Sequence, residues 1–269
     1  MNTPAIMGHL AVVSPHFGAA VAACGTLLSA CPGSVVLTVF AGVPDAATAA
    51  TERDRRCGFA DGVQAMRRRH AEDDHALRIL KARPLRLDFL DAEYVDAQGQ
   101  AGPRAERIAA AVARSLEPLD VDTVLFPLGL DHRDHVLVSD AMLQLFAQPG
   151  GRDWLAYEDA GYTTRPGLLH NRLVQCYMRG ISLTPAAVPA SGNVHRKATA
   201  LAAYASRAGN EASRATSGPG ARVLAEVERY WRLRNAVGEA PEAQPMARRQ
   251  PGGLDAAGAS TAHRGREIE

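Results

Sequence analysis

The sequence predicts an α/β fold: a Rossmann-like open, mostly parallel sheet with helices on both faces. Short β-branched apolar runs alternate with helix-periodic stretches along the first half of the chain, which is the pattern of repeated βαβ units. The runs are apolar at nearly every position, as strands covered by helices on both sides must be. Polar, histidine-bearing loops follow the first and fourth strands, and open parallel sheets bind ligands beyond the carboxyl ends of their strands.

Each element follows from its residues. Positions 9–14 (HLAVVS) form a strand that Pro15 ends, and positions 19–30 form a small-residue helix with Val21, Cys24, Leu27 and Leu28 on one face. Positions 34–40 (SVVLTVF) are too short for a helix and rich in β-branched residues, so they complete the opening βαβ unit. A charged helix is expected at about 62–82, with Val63, Met66, Leu77 and Leu80 inward and the run Arg67-Arg68-Arg69-His70 on a solvated face. Positions 85–90 (LRLDFL) alternate with period two and read as the third strand. A helix over 104–116 stops at Glu117-Pro118, a strand over 122–127 follows, and a helix runs from about 136 to 146. Farther on, 154–157 and 173–183 read as strands, and 196–207 and 221–233 as helices. One domain is expected over 1–234. The stretch 235–269, rich in Gly, Pro, Ala and charge, is expected to be a disordered tail.

Composition narrows the function. With 46% hydrophobic and 22% charged residues, the 269-residue chain can bury a substantial core. A formal net charge of +1 supplies no field to recruit nucleic acid or an anionic membrane, so a small-molecule partner is expected. Cys24, Cys31, Cys57 and Cys176 have no CxxC spacing and read as buried thiols in a reducing compartment. Positions 1–7 carry no basic leader region, and the apolar run 10–13 is too short for a membrane span. A cytoplasmic location is the resulting expectation.

The chemistry concentrates in His132-Arg133-Asp134-His135, two imidazoles and a carboxylate on a loop entering a helix. Imidazoles ligate zinc through one nitrogen and need a partner on the other to set the tautomer, and this cluster holds both kinds of group. His16, in Ser14-Pro15-His16, falls on the same predicted sheet edge.

These stretches, together with Thr38-Val39-Phe40-Ala41-Gly42, Arg69 with Glu72-Asp73, Phe89-Leu90-Asp91, Tyr157-Glu158-Asp159, and Lys197 with Tyr204, match a known pattern in order and spacing. The chain resembles the PIG-L/LmbE family of zinc-dependent N-acetylglucosaminyl deacetylases, in particular its antibiotic- and sugar-tailoring branch. The resemblance implies His16 and His135 as metal ligands, His132 and Asp134 as catalytic residues, and Arg69, Asp91 and Tyr204 as substrate-binding residues. It implies an amino sugar or glycoconjugate as the partner.

One departure stands out. Where the family carries two aspartates, a general base and the third metal ligand, this chain has Gly18 and Ala19, and no Asp or Glu occurs between His9 and Asp45. Catalytic zinc takes three protein ligands plus water, so zinc is expected to be weak or absent here. Loss of a general base costs about 10²–10⁴ in rate. Three readings stay open: a non-catalytic sugar-binding homologue, an active deacetylase with a migrated carboxylate (Asp131 or Asp91), and an anion-binding Rossmann-like module.

Overall fold

β1 (Leu10–Ser14) is buried along its whole length and lies in the interior of a seven-stranded sheet ordered β3-β2-β1-β4-β5-β7-β6. The computed structural model describes residues 9–46, 48–99, 101–162, 165–188, 192–208 and 227–236. β2 (Val35–Thr38), β3 (Arg83–Arg86), β4 (Thr123–Pro127) and β5 (Asp153–Tyr157) all run parallel with β1. β7 (Tyr230–Asn235) joins β5 and β6 (Ile181–Ala186) antiparallel to both.

Alternation along the strands builds two cores. Ala11, Val13, Val124, Phe126 and Ala156 face one layer, with Ile108 and Val112 of α5 (Ala105–Leu116) and Val138 and Met142 of α6 (Arg133–Phe146). Leu10, Val12, Leu125, Leu155 and Tyr157 face the other, with α1 (Ala19–Ala30) and α3 (Gly62–Leu80). The predicted α/β class with helices on both faces is what forms. The chain leaves β1 toward β2 and β3, then returns to place β4 on the opposite side of β1. That reversal opens a crevice at the carboxyl ends of β1 and β4, the topological switch point of such sheets.

Several expected elements differ. The third strand is β3 at Arg83–Arg86, earlier than 85–90, because Arg83 N–H bonds Ser34 C=O and starts the pairing with β2 there. The stretch 173–183 is not a strand: α7 (Leu168–Met178) buries Arg172 and Cys176 one turn apart, and Gly180, at φ 77°, turns the chain into β6. The expected helix over 221–233 is contradicted where it is described, since Tyr230–Asn235 is β7, with Tyr230 facing one core and Leu233 the other. The helix expected over 196–207 divides into α8 (Val194–Ala202) and α9 (Ala205–Ala208). Two short helices were not expected: α2 (Glu52–Arg56), whose Thr51 and Asp54 form a reciprocal capping box, and α4 (Ala92–Ala97), capped by Asp91. Of the four free thiols only Cys24 and Cys176 are buried; Cys31 and Cys57 are half-exposed. The tail expected over 235–269 lies outside the described residues from 237 onward. Among the described residues no helix is long and apolar enough to cross a membrane.

Candidate functional site

His16 sits in the turn between β1 and α1. Ser14 Oγ donates to the His16 carbonyl (2.7 Å) and accepts from Ala20 N–H (3.0 Å), which folds the chain back on itself. Gly18 caps α1 at φ 78°, in the left-handed region that glycine enters without strain. Phe40, just beyond β2, stacks on the His16 ring at 5.5 Å. On the other side of the switch point His132 caps α6, its Nδ1 accepting from Asp134 N–H at 3.2 Å. One turn of helix then brings His135 to the same point.

The three imidazoles form a near-equilateral group, with ring centroids 5.2 Å apart for His16–His132, 5.4 Å for His132–His135 and 5.6 Å for His16–His135. One ligating atom from each lies within 4.8 Å of the others, so the cluster could hold a metal ion. They stand in a cleft of about 950 Å³ whose lining includes Ala19, Arg53 and Asp91.

Carboxylates brace the cluster from behind. Asp134 Oδ2 lies 3.3 Å from His16 Nε2 and accepts from Ala92 N–H at 3.3 Å. Asp159 Oδ1 contacts His135 Nδ1 at 2.5 Å, while its Oδ2 accepts from the N–H groups of Gly129 and Leu130, both at 2.8 Å. Burial would raise the Asp134 carboxyl, but the hydrogen bond and charge of His16 hold it below its ordinary value. Burial lowers His16, against the pull of Asp134. Burial and the neighbouring His135 lower His132, so both rings favour the neutral form.

The remaining sequence candidates scatter. Asp91 lines the cleft with its Oδ1 accepting from Glu93 and Tyr94 N–H, and burial pushes its carboxyl up. Asp131 is exposed and pairs with Arg165 at 2.5 Å. Arg69 is not on a solvated face: its guanidinium is buried against Asp54 (2.5 Å) and Tyr94 Oη (3.1 Å). Tyr204 donates to Asp73 at 2.7 Å. Arg69 and Tyr204 line a smaller adjoining cavity that shares His16, Arg53 and Asp91 with the cleft. Sequence reasoning gave Asp159 and Asp54 no role. Asp159 could have been found, since it follows β5 at the same sheet edge; Asp54 lies in a five-residue helix with no apolar periodicity to flag it.

Zinc, implied by the resemblance, needs three protein ligands in a catalytic site. His16 and His135 each carry a carboxylate on one nitrogen, the arrangement that prepares an imidazole ligand. The start of α1 contributes only Gly18 and Ala19, with no side-chain oxygen. The donors present are therefore the three imidazoles, which could hold a metal ion, with no carboxylate from the start of α1 beside them.

No family model matches the chain, and no curated protein does. Solved structures do. The zinc-inhibited form of teicoplanin deacetylase is similar at TM-score 0.63 and 20% identity, covering 86% of this chain and 100% of that one. An antimicrobial pseudoaglycone deacetylase is similar at TM-score 0.61 and 24% identity, covering 86% and 99%. N,N'-diacetylchitobiose deacetylase from Pyrococcus horikoshii is similar at TM-score 0.55 and 14% identity, covering 86% and 85%. These likenesses show the fold: the chain shares the α/β fold of these three solved deacetylase structures.

Proposed function

We propose that the cleft binds an amino sugar or glycoconjugate and that the chain does not carry out the metal-dependent amide hydrolysis of the deacetylases it resembles. One observation carries this reading: α1 opens with Gly18 and Ala19 at the lip of an otherwise assembled His16–His132–His135 cleft. Without a carboxylate there, no side chain at those positions can take a proton from water or add an oxygen ligand to the imidazoles. A bound zinc ion would supply Lewis acidity in a complete site. The chain's own residues have other work. His132 and His135 present ring nitrogens to a bound ligand, the Asp134 N–H holds the His132 ring and the Asp159 carboxylate the His135 ring, and Arg53 lines the wall.

The test pairs two measurements on the full chain. Calorimetry with N-acetylglucosamine conjugates, teicoplanin-type glycopeptides among them, should show binding. Acetate or fatty-acid release from the same compounds, with zinc supplied, should stay at background. Turnover at rates typical of enzymes, about 1–10³ per second, would overturn the proposal. Asp91 supports a second reading, an active enzyme with a migrated carboxylate, because its side chain lines the cleft and burial raises its carboxyl toward the range of a general base. Any turnover abolished by Asp91→Asn would favour that reading.

A further inference from the structure

The formal net charge of +1 conceals an uneven distribution. Arg67 and Arg78 stand outward on α3, separated by about three helical turns, or about 16 Å. Lys81, which caps the helix, and Arg83, the first residue of β3, carry the row on to the edge of the sheet. All four side chains are exposed, and none has an ion pair or hydrogen bond among the described residues. The carboxylates of the same helix are engaged elsewhere. Asp61 caps it by accepting from Gln64 N–H, Glu72 accepts from Ser206 and Arg68, and Asp73 accepts from Tyr204. Asp74, which falls on the line between Arg67 and Arg78, is held by Arg86 at 2.6 Å. The neighbours bring no acid either: α1 and α8, which pack beside α3, contain no Asp or Glu, and α8 adds His195 and Arg196. Exposed cations left without counter-charges repel one another, and a complementary anionic surface relieves that repulsion.

We infer that the outer face of α3, from Arg67 to Arg83, docks an acidic helix of a protein partner. The edge strand excludes an extended partner. Arg83 and Leu87 give their N–H groups to Ser34 and Thr38, so alternation turns Pro84 outward, and Pro84 has no N–H to pair with an added strand. Recognition therefore falls to side chains. No Phe, Trp or Tyr lies on α3 or β3 to stack a nucleic-acid base, and neither exposes a large apolar side chain to enter a bilayer. A helix with acidic residues about three turns apart, laid along α3, meets cations at both ends and sets its middle against the neutralised Asp74–Arg86 pair. None of the four cations lines the His16–His132–His135 cleft, so the strip can be tested apart from the cleft.

The probe is a labelled, alanine-rich helical peptide with paired Glu residues in its first and fourth turns. Its binding to the full chain is read by fluorescence anisotropy at about 50 mM salt, where surface charges are weakly screened. A peptide of the same composition with the Glu residues gathered in the middle turns should bind several-fold more weakly. An exposed ion pair is worth up to about fivefold, so the triple variant Arg67→Glu, Arg78→Glu, Lys81→Glu should weaken binding about tenfold or more. Its circular dichroism should match that of the unmodified chain, since these side chains hold nothing else. Arg114→Glu, which reverses an exposed charge on α5 across the sheet, should leave binding unchanged. Equal binding of the two peptides, no binding of either, or an equal loss on Arg114→Glu would overturn the inference. Tighter binding of duplex DNA or of phosphatidylserine vesicles than of the peptide, lost in the triple variant, would overturn it in favour of that partner.

Discussion

Replacing Asp54 with alanine removes one carboxylate and takes an acceptor from three buried donors. Asp54 is 0% exposed; its Oδ1 accepts from Arg69 Nη2 at 2.5 Å, and its Oδ2 accepts from Tyr94 Oη at 2.9 Å and Thr51 N–H at 3.1 Å. The Arg69 side chain, only 10% exposed, would then face a low-dielectric interior without its counter-charge. Breaking a buried pair by deleting one partner costs about 3–5 kcal/mol. For a domain of this size that corresponds to a fall in Tm of roughly 10 °C. The loss should appear in urea unfolding followed by circular dichroism, as a lower midpoint at unchanged slope. A double variant, Asp54→Leu with Arg69→Met, replaces the charges with apolar volume and should recover most of the loss. The consequence reaches the cleft, because this ion pair ties α2, which carries Arg53, to α3 and through Tyr94 to α4 beside Asp91. A loss for Asp54→Ala below about 1 kcal/mol would refute the reasoning. If ligand binding nonetheless vanished, Arg69 would be a ligand-contacting residue and not a brace.

Three further outcomes follow from the same structure. Gly42→Ala should destabilise the fold by about 1–3 kcal/mol in urea unfolding, because an added Cβ would stand 2.2 Å from the Asp88 carbonyl oxygen, whereas Gly150→Ala meets nothing within 4 Å and should be neutral. A thiol reagent should modify Cys31 and Cys57 in the native protein but Cys24 and Cys176 only after unfolding, since these two are 0% and 1% exposed and burial raises both thiols. Stability should fall with acid: His16 and His132 are held below the ordinary value of 6.5 by burial, so below that pH the unfolded chain takes up protons that the folded chain refuses. The stabilisation is complete above pH 6.5 and declines as the pH drops through that value. Urea midpoints at about pH 7.5 and about pH 5.5 check it, and a His16→Gln, His132→Gln variant should show a shallower decline.

Local pattern determined much of this protein. The β-branched runs at β1, β2 and β4, and the helices between them, were legible because strand and helix periodicity are written in consecutive residues. The convergence of His16 with His132 and His135 was legible too, because each follows a strand that a parallel sheet must align with the others. The pattern of the second half misled. α7 carries apolar residues compatible with either period, and only its packing of Arg172 on the Leu128 carbonyl and Asp140 settles it as a helix. β7 depends on antiparallel partners at 153–157 and 181–186, and pairing between such distant segments leaves no mark on the sequence of either. The same holds for the supporting carboxylates. Asp159 reaches His135 across 24 positions and Asp54 reaches Arg69 across 15, contacts that exist only once the sheet and helices are assembled.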